Sequence, residues 1–234
     1  MSSIIVETQP LVEPLSLAEV KRQLRLGPWE DSDHVTSSLQ ASRLRGLIQA
    51  AREYCESFTR RSFINKGYVQ YLDAFPYFTD TAMSQQAYPP AYYSLPRYST
   101  TLWNYSQMIK LFYSPLVSVS KITYVGTDGQ DHDLLPGTPD SQVGQFVIDT
   151  AAEPPRLFPN SGQFWPPVLY VPNAVAIHFV AGYGDDASKV PAVVKVAMRI
   201  LIKLWDRDEG AKVPESVKML LWSTRVLDMA QTRG

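Results

Sequence analysis

The sequence predicts an α+β protein that combines a helical bundle, made of a long central helix and C-terminal helices, with a small antiparallel β-sheet and a long aromatic loop. Three observations predict this class. Apolar residues recur every three or four positions from Thr36 to Thr59, the spacing of an amphipathic helix. Between residues 63 and 188, several segments alternate apolar and polar residues, as strands do. Helical spacing returns after residue 189, so we expect the helices on either side of this insert to pack together.

The segment 36–59 is predicted to be the central helix of the fold. One face is apolar and consists of Leu39, Leu44, Leu47, Ile48, Ala51, Tyr54, Cys55 and Phe58. The opposite face is charged, and Arg52 and Glu56 on it have the four-residue spacing of a helical ion pair. We expect the apolar face to lie in the core and the charged face to meet water or another chain.

The N-terminal residues 1–15 are predicted to form an extended arm, because Pro10 and Pro14 disfavour a helix. Such an arm is expected to fold only against a neighbouring chain. A short helix follows, since Ser16 and Glu19 have the spacing of a capping box. Three basic residues on this helix allow phosphate contacts, although such a set on a short amphipathic helix is more typical of a solvated face.

Strand-like patterns fill the middle of the chain. They occur at 64–75, 108–126, 145–149 and 174–184. Asp128 and Gly129 give the strongest hairpin signal in the sequence. The aspartates around them suggest a calcium loop, but the glycine is misplaced for an EF-hand and Pro139 stands where its final glutamate belongs. We therefore predict a turn here and no metal site.

Residues 74–106 interrupt these patterns and are predicted to form a long loop. The segment holds nine aromatic residues, four prolines and only two charged residues. Disordered linkers are poor in aromatics and rich in charge, so this is not an ordinary linker. Nine aromatics left in water would exceed what soluble monomers normally expose. We expect the loop either to fold over its own sheet or, the alternative we favour, to lie across another protein chain.

The last part of the chain is predicted to be helical again. One helix begins near Pro191 and presents a broad apolar face that ends at Gly210, and another begins at Pro214 and leads into a polar tail. The chain thus divides into four parts. They are an extended arm at 1–15, a helical bundle at 16–62 and 189–213, a β-rich insert with the long loop at 63–188, and a C-terminal helix and tail at 214–234.

Composition and motifs exclude several classes of function. The 234 residues carry 22 Lys and Arg against 23 Asp and Glu, a net charge of -1, which gives no overall basic field for gripping nucleic acid. The middle is acidic, since residues 63–188 hold 5 basic and 10 acidic groups. No nucleophile elbow, Walker A loop, Cys/His cluster or zinc-protease motif occurs, so we expect no enzyme, no metal and no cofactor.

The single cysteine, Cys55, allows no intrachain disulfide and indicates a reducing compartment. We interpret it as a small buried hydrophobe rather than a reactive thiol. The first residues have neither the charged leader nor the apolar core of a signal peptide, and no apolar run reaches the length of a membrane span. We expect a chain without a membrane anchor that is made in the cytoplasm.

Five segments resemble the head–tail connector (adaptor, or head-completion) family of tailed bacteriophages. They are PLSLAEVKRQLRL, LIQAAREYCESFTRRSF, SPLVSVSKITYVGTDGQ, VAIHFVAGYG and VPAVVKVAMRILIKLWDRDEG. Together they cover most of residues 14–227, and their order and spacing are specific where no single segment is. The aromatic loop is longer than the corresponding link of a typical member, so no contact is carried over to it.

The resemblance implies a structural virion protein that forms a homo-oligomeric ring, with twelve copies as the expected number. The ring would dock beneath the portal protein, extend the channel for double-stranded DNA without sequence-specific binding, and receive a stopper or tail-completion protein. The chain would be made in the bacterial host cytoplasm and lie in the virion neck, between head and tail, with no membrane and no cofactor. The alternative is a DNA-binding protein that assists genome packaging, which the flat net charge disfavours.

The resemblance also implies that the C-terminal end contacts the portal, and the segment after Gly210 is expected to be detachable. The predicted docking residues are Val217, Leu221, Trp222 and Arg225. Trp and Arg commonly dominate interface energies, although packing of Trp222 within its own subunit is the alternative. Contacts between subunits, or with a tail protein, are predicted for the loop residues Tyr77, Tyr88, Tyr92, Tyr93, Tyr98 and Trp103.

Overall fold

Two structural units are formed from interleaved segments of the chain. The computed structural model describes residues 3–26, 34–76, 107–135, 146–160 and 163–227. A helical unit comprises Thr8–Gly67, Tyr113–Val117 and Ala181–Gly234, and a β unit comprises Met1–Glu7, Tyr68–Phe112 and Ser118–Val180. Because each unit draws on three separate segments, neither can be cut out of the chain as one continuous piece.

The helical unit contains four α-helices within the described residues. They are α1 (Leu17–Leu24), α2 (His34–Thr59), α3 (Ala192–Arg207) and α4 (Glu215–Trp222). The capping box of α1 is present: the backbone N–H of Ser16 donates to the Glu19 carboxylate at 2.8 Å, and the backbone N–H of Glu19 donates to Ser16 Oγ at 3.2 Å. No helix in the described part of the chain is both long and apolar enough to span a membrane.

The core of the helical unit lies between the apolar faces of α2, α3 and α4. These faces contribute Leu44, Ile48, Ala51, Cys55, Val194, Ala197, Leu201, Val217 and Leu221, all buried. The three- and four-residue spacing of these positions is what brings them onto one face of each helix. Leu39, which the same spacing placed on the apolar face of α2, is 65% exposed.

Part of the charged face of α2 is buried around one carboxylate, that of Glu56. Its oxygens accept hydrogen bonds from Arg52 Nη1 at 3.1 Å, from the backbone N–H of Phe63 at 3.0 Å and from Lys66 Nζ. Arg52 Nε also donates to Glu13 at 2.8 Å. Arg52 is 1% and Glu56 3% exposed. For Arg52 and Glu56 the expectation that this face meets water or another chain is wrong, because the segments before α1 and after α2 cover them. The other charged residues of this face, Arg43, Arg45 and Glu53, are exposed.

Burial opposes the charged form of both cations in this cluster. Burial lowers the pKa of Lys66, and the neighbouring Glu56 only partly cancels the effect. Burial acts in the same direction on Arg52, but its contacts with Glu56 and Glu13 outweigh it and raise the pKa of the guanidinium. Glu56 is therefore the anion that two buried cations share.

The β unit is built on strands that form two sheets. The strands are β1 (Ser3–Thr8), β2 (Lys66–Leu72), β3 (Ile109–Lys110), β4 (Leu116–Val125), β5 (Asp131–Leu134), β6 (Phe146–Asp149), β7 (Arg156–Pro159) and β8 (Val175–Ala181). The larger sheet has the order β1-β2-β8-β4-β5, and the smaller has the order β3-β7-β6. In β8, at the centre of the larger sheet, every second residue is buried, which is the period of a strand with one core face.

The hairpin predicted at Asp128 and Gly129 joins β4 to β5. Ile122–Val125 pair in antiparallel register with Leu134–Asp131. Gly129 has φ of 76°, a left-handed conformation that glycine adopts without steric cost. The predicted Asp-Gly turn is therefore the one that connects these two strands.

The predicted helical bundle with one small β-sheet is wrong. The described residues contain four helices and eight strands in two antiparallel sheets, a mixed α and β structure that is not a helical bundle. Helices α1 and α4 have only eight residues each, about two turns, which is short for a bundle. Strands β3, β6 and β7 form a second sheet that the prediction did not include. The strand-like patterns at 108–126 and 145–149 contain β3 and β6, whereas β7, with four residues, is too short for alternation to reveal it.

The expectation that the N-terminal arm folds only against a neighbouring chain is wrong. Residues 3–8 form β1, which pairs with β2 at the edge of the larger sheet of the same chain. Pro10 and Pro14 follow this strand rather than interrupt it. The prolines therefore end the strand and do not prevent it.

Replacing Glu56 by glutamine should destabilise the protein strongly. Glutamine keeps the shape of the side chain but removes the charge that Arg52 and Lys66 share, and breaking a buried ion pair costs about 3–5 kcal/mol. We expect the free energy of unfolding, measured by urea denaturation, to fall by about 3 kcal/mol.

Glu53→Gln is the matched control on the same helix. Glu53 lies 3.7 Å from Arg52, but its side chain is 52% exposed, so its ion pair should contribute about 0–1 kcal/mol. Equal losses of stability in the two variants would contradict the importance of the buried cluster.

Candidate functional site

Helix α4 divides its residues between the core of the helical unit and solvent. Val217 and Leu221, four residues apart, are both 0% exposed. Met219 is 76% exposed and Trp222 is 55% exposed. The first pair holds the helix in place, and the second pair faces outwards from it.

Arg225 connects the end of α4 to α2. Its guanidinium lies 5.1 Å from the centre of the Trp222 ring and 5.2 Å from that of Phe58. A cation over an aromatic face is attracted by the negative charge of the ring's π system. The next residue is fixed as well, since the backbone N–H of Val226 donates to the carbonyl of Thr59 at 2.9 Å. We call Met219, Trp222 and Arg225 the C-terminal patch.

The burial of two residues of α4 removes them from the predicted docking residues. Val217 and Leu221 are buried in the core, so their side chains are not available to a partner. The expectation that the segment after Gly210 is detachable is wrong, because α4 completes that core. Trp222 contacts Arg225 of its own chain and is still more than half exposed, so it can also face a partner.

Met219 is the member of the C-terminal patch that the sequence reading missed. It lies three residues before Trp222, and residues at that spacing share one face of a helix. Its spacing from Trp222, which was predicted as a docking residue, is the sequence signal that could have identified it.

The aromatic loop candidates lie outside the described residues. They are Tyr77, Tyr88, Tyr92, Tyr93, Tyr98 and Trp103. Their role in contacts between chains stays a prediction.

The two ends of this loop are held by Trp165. The ring of Phe75 stacks on Trp165 with centroids 4.9 Å apart and planes 5° apart. Trp165 Nε1 donates to the backbone carbonyl of Gln107 at 2.7 Å. All three residues are buried. The residues at the two ends of the loop therefore meet at one buried tryptophan, and we call Phe75, Gln107 and Trp165 the Trp165 clamp.

The carboxylates near the β4–β5 hairpin make local structural contacts. Asp128 accepts a hydrogen bond from the backbone N–H of Gln130 at 3.0 Å, which holds the pKa of its carboxyl below the usual value. Asp133 accepts hydrogen bonds from Thr123 Oγ1 at 2.8 Å and from Lys121 Nζ at 3.0 Å. Within the described ranges, no group of three or more His, Cys, Asp and Glu residues is arranged to hold a metal ion.

The acidic residues on either side of α3, Asp185 and Asp186 before it and Asp206 at its end, also stabilise local structure. Asp185 accepts a hydrogen bond from Asn65 Nδ2 at 2.8 Å, and Asp186 accepts one from the backbone N–H of Ser188 at 2.7 Å. At the end of α3, Asp206 lies 3.1 Å from Arg43 Nη1. Such contacts account for these carboxylates without a catalytic role.

The only cysteine is a buried, protonated thiol. Cys55 is 0% exposed, and burial, with a smaller contribution from Glu56, raises the pKa of its thiol to about 12. The reactive thiolate is therefore negligible at neutral pH. The residue acts as a small apolar side chain of the core.

Comparisons with known proteins find matches among solved structures. No protein-family model and no curated protein matches the chain. Among solved structures, a chain in the neck of an empty gene transfer agent (GTA) particle, computed with C6 symmetry, matches with a TM-score of 0.64 and 18% identity over 100% of both chains. A chain in the virion of a native GTA particle matches with a TM-score of 0.60 and 20% identity over 99% of both chains.

A third match extends the comparison to a second symmetry. A chain in the neck of a native GTA particle, computed with C12 symmetry, matches with a TM-score of 0.52 and 19% identity over 88% of this chain and 98% of that one. The fold is therefore that of a chain found in the neck of a phage-like particle. The predicted resemblance to head–tail connector proteins is confirmed for the fold.

Proposed function

We propose that this chain is a structural subunit of the neck of a phage-like particle, where it forms a ring beneath the portal protein. The observation that carries the proposal is the match over the full length of both chains to a neck chain of a GTA particle. A fold that matches over the whole compared length of both chains is what two proteins with the same place in an assembly would have.

Ring formation is supported by the symmetry of the matching particles. Their necks were computed with C6 and C12 symmetry, and twelve copies satisfy both. A ring of identical subunits needs two different, complementary surfaces on each copy. On this basis the chain resides in the virion neck, with the portal protein on one side and a stopper or tail-completion protein on the other.

The proposed passage of double-stranded DNA does not require a gripping surface. The net charge of -1 and the acidic middle of the sequence supply few cations for phosphates, and each phosphate contact would add affinity that resists sliding. We propose that DNA passes through the ring without sequence-specific binding. The rival function, a DNA-binding protein that assists packaging, would need a basic surface with tight, salt-dependent binding.

A structural role rather than catalysis also fits the polar groups described above. The acidic clusters are occupied by backbone N–H groups, by Arg43 and by Lys121, and Cys55 is a protonated core residue. The apolar and aromatic side chains on the surface are instead the residue types that form protein interfaces.

The ring should be visible as a discrete mass. We expect the purified full chain, alone or mixed with the portal protein of the same particle, to form one large species by light scattering and a ring in electron micrographs. Nuclease treatment should not change it, because DNA is not needed to hold subunits together. A chain that stays monomeric with the portal, or that shifts DNA tightly with a steep salt dependence, would contradict the proposal.

Trp222 should be a main contact between the ring and the portal. Interface tryptophans often contribute about 2 kcal/mol or more, so Trp222→Ala should weaken portal binding by about thirtyfold or more. Because Trp222 is more than half exposed, the free energy of unfolding should change by less than about 1 kcal/mol. Binding is measured by titration of the portal and stability by urea denaturation.

Two variants control this experiment. Leu39→Ala removes another exposed apolar residue, on α2, and should leave portal binding unchanged. Leu221→Ala removes a buried residue of α4 and should cost about 2–5 kcal/mol of stability. Unaltered portal binding of Trp222→Ala would remove the C-terminal patch as the docking site.

The aromatic loop should act in assembly rather than in folding. Residues 76–104 can be replaced by a short Gly/Ser link, because the Trp165 clamp holds Phe75 and Gln107 on the same side chain. We expect an unchanged thermal unfolding temperature of the subunit and loss of ring or neck assembly. The physical reason is that the aromatics of the loop need a covering surface, which a second chain provides.

A second loop variant separates the side chains from the length of the loop. It keeps every residue of the loop except the six predicted contact aromatics, which become serine. Loss of assembly in both variants assigns the contact to the aromatics. A lower unfolding temperature in both, with assembly following stability alone, would mean that the loop belongs to the core of its own subunit.

A further inference from the structure

The first strand of the larger sheet is an open edge. β1 pairs with β2 on one side only, and five of its six residues are exposed. Ile5 is 51% and Val6 is 42% exposed. Proteins usually protect such an edge with lysine, proline, a bulge or a very short strand. The sequence Ser3–Thr8, SIIVET, has neither lysine nor proline.

The edge strand is nevertheless fixed in position. The carboxylate of Glu7 lies 3.5 Å from Nδ1 of His178 on β8, two strands further into the sheet. A strand that is already ordered loses little conformational entropy when another strand pairs with it. β1 is therefore a preformed template for main-chain hydrogen bonds.

The opposite end of the same sheet offers a second open edge. β4 has ten residues, but β5 pairs only with Ile122–Val125. In the described part of the chain, no strand pairs with Ser118–Lys121 of β4 on the side that β5 occupies further along. Ser118 and Ser120 are small and exposed, so they allow another backbone to approach.

We propose that β1 of one copy pairs with the Ser118–Lys121 edge of β4 in the next copy, so that the sheets of neighbouring subunits join around the ring. The proposal rests on the proposed function, because a closed ring is what requires two different complementary surfaces on each subunit. The two open edges of one sheet meet this requirement. Among the described residues no further strand pairs with either edge, and the backbone groups of such an edge can accept one.

Charge favours the β4 edge over the edge of β5. The outer strand β5 carries two carboxylates, Asp131 and Asp133, which would repel Glu7 of an incoming β1. On the open part of β4, Lys121 already donates to Asp133, and Ser118 and Ser120 carry no charge. Like charges across a strand pair are destabilising, so Glu7 favours the uncharged serines of β4 over the carboxylates of β5.

Cysteine cross-linking in the assembled ring tests this pairing. Paired residues on neighbouring strands have Cα atoms about 4.5–5.5 Å apart, within the range of a disulfide. Ile5→Cys is combined with Ser118→Cys or with Ser120→Cys, which allows for either register. Native Cys55 is buried and does not interfere. We expect oxidation to produce a ladder of covalent multimers from at least one of the two double variants, and none from any single variant.

A charge variant with a matched control tests the same edge independently. Val6→Lys places a cation on the pairing edge and should weaken ring formation by about tenfold or more, since edge lysines oppose strand pairing. Val196→Lys on α3 is the control, because Val196 is also 42% exposed. We expect that variant to assemble as the unaltered chain does.

The outcomes separate this inference from the proposed function. Should the unaltered chain form no ring with or without the portal, the proposed function fails and this pairing fails with it. If the ring forms but neither double variant cross-links, only the strand pairing is overturned. Cross-linking of Ile5→Cys alone would reveal a symmetric contact between two β1 strands and would likewise overturn it.

Discussion

The carboxylate of Glu56 is the constraint on which the path of the chain in the helical unit depends. It fixes Arg52 one turn earlier on α2, the backbone N–H of Phe63 just after the helix, and Lys66 at the start of β2. A charge buried to this degree is tolerated only when each of its hydrogen-bonding positions is used. The change of direction from α2 to β2 therefore has one geometry that satisfies this carboxylate, and the core residues Phe63 and Ile64 follow from it.

Long periodic segments were predictable because the residues buried on one face of a helix or strand recur in the sequence with its period. The apolar spacing in α2 and α3 identified the faces that form the core, and the Asp-Gly turn identified the β4–β5 hairpin. Elsewhere, contacts between residues far apart in the sequence determined the structure, and the local pattern did not predict it. Arg52 and Glu56 have the sequence signature of a solvated ion pair, and nothing in a one-dimensional pattern reveals that Glu13 and Lys66 close over them. Likewise, the sequence of β1 did not predict β2 as its partner, because the pairing of strands about sixty residues apart produces no local sequence pattern.

The candidate surfaces divide in the same way. Trp222 and Arg225 were found by residue type, because large amphipathic side chains near a helix end are common at interfaces. Val217 and Leu221 were chosen by proximity to them, and the structure places both in the core. Trp165 was missed because its role comes from two contacts that are remote in sequence, one to Phe75 and one to Gln107. Only folding reveals that these residues meet.

The Trp165 clamp also has a consequence for how this protein can vary and be engineered. Because Phe75 and Gln107 contact the same buried ring, the two ends of the aromatic loop are held whatever the number of residues between them. For a flexible loop, each doubling of length costs only about 0.6 kcal/mol in closure entropy. Insertions at this place are thus expected to cost little folding free energy, so the length of the loop can vary without loss of the subunit fold. The same property makes it the natural position for an epitope tag or a small reporter domain.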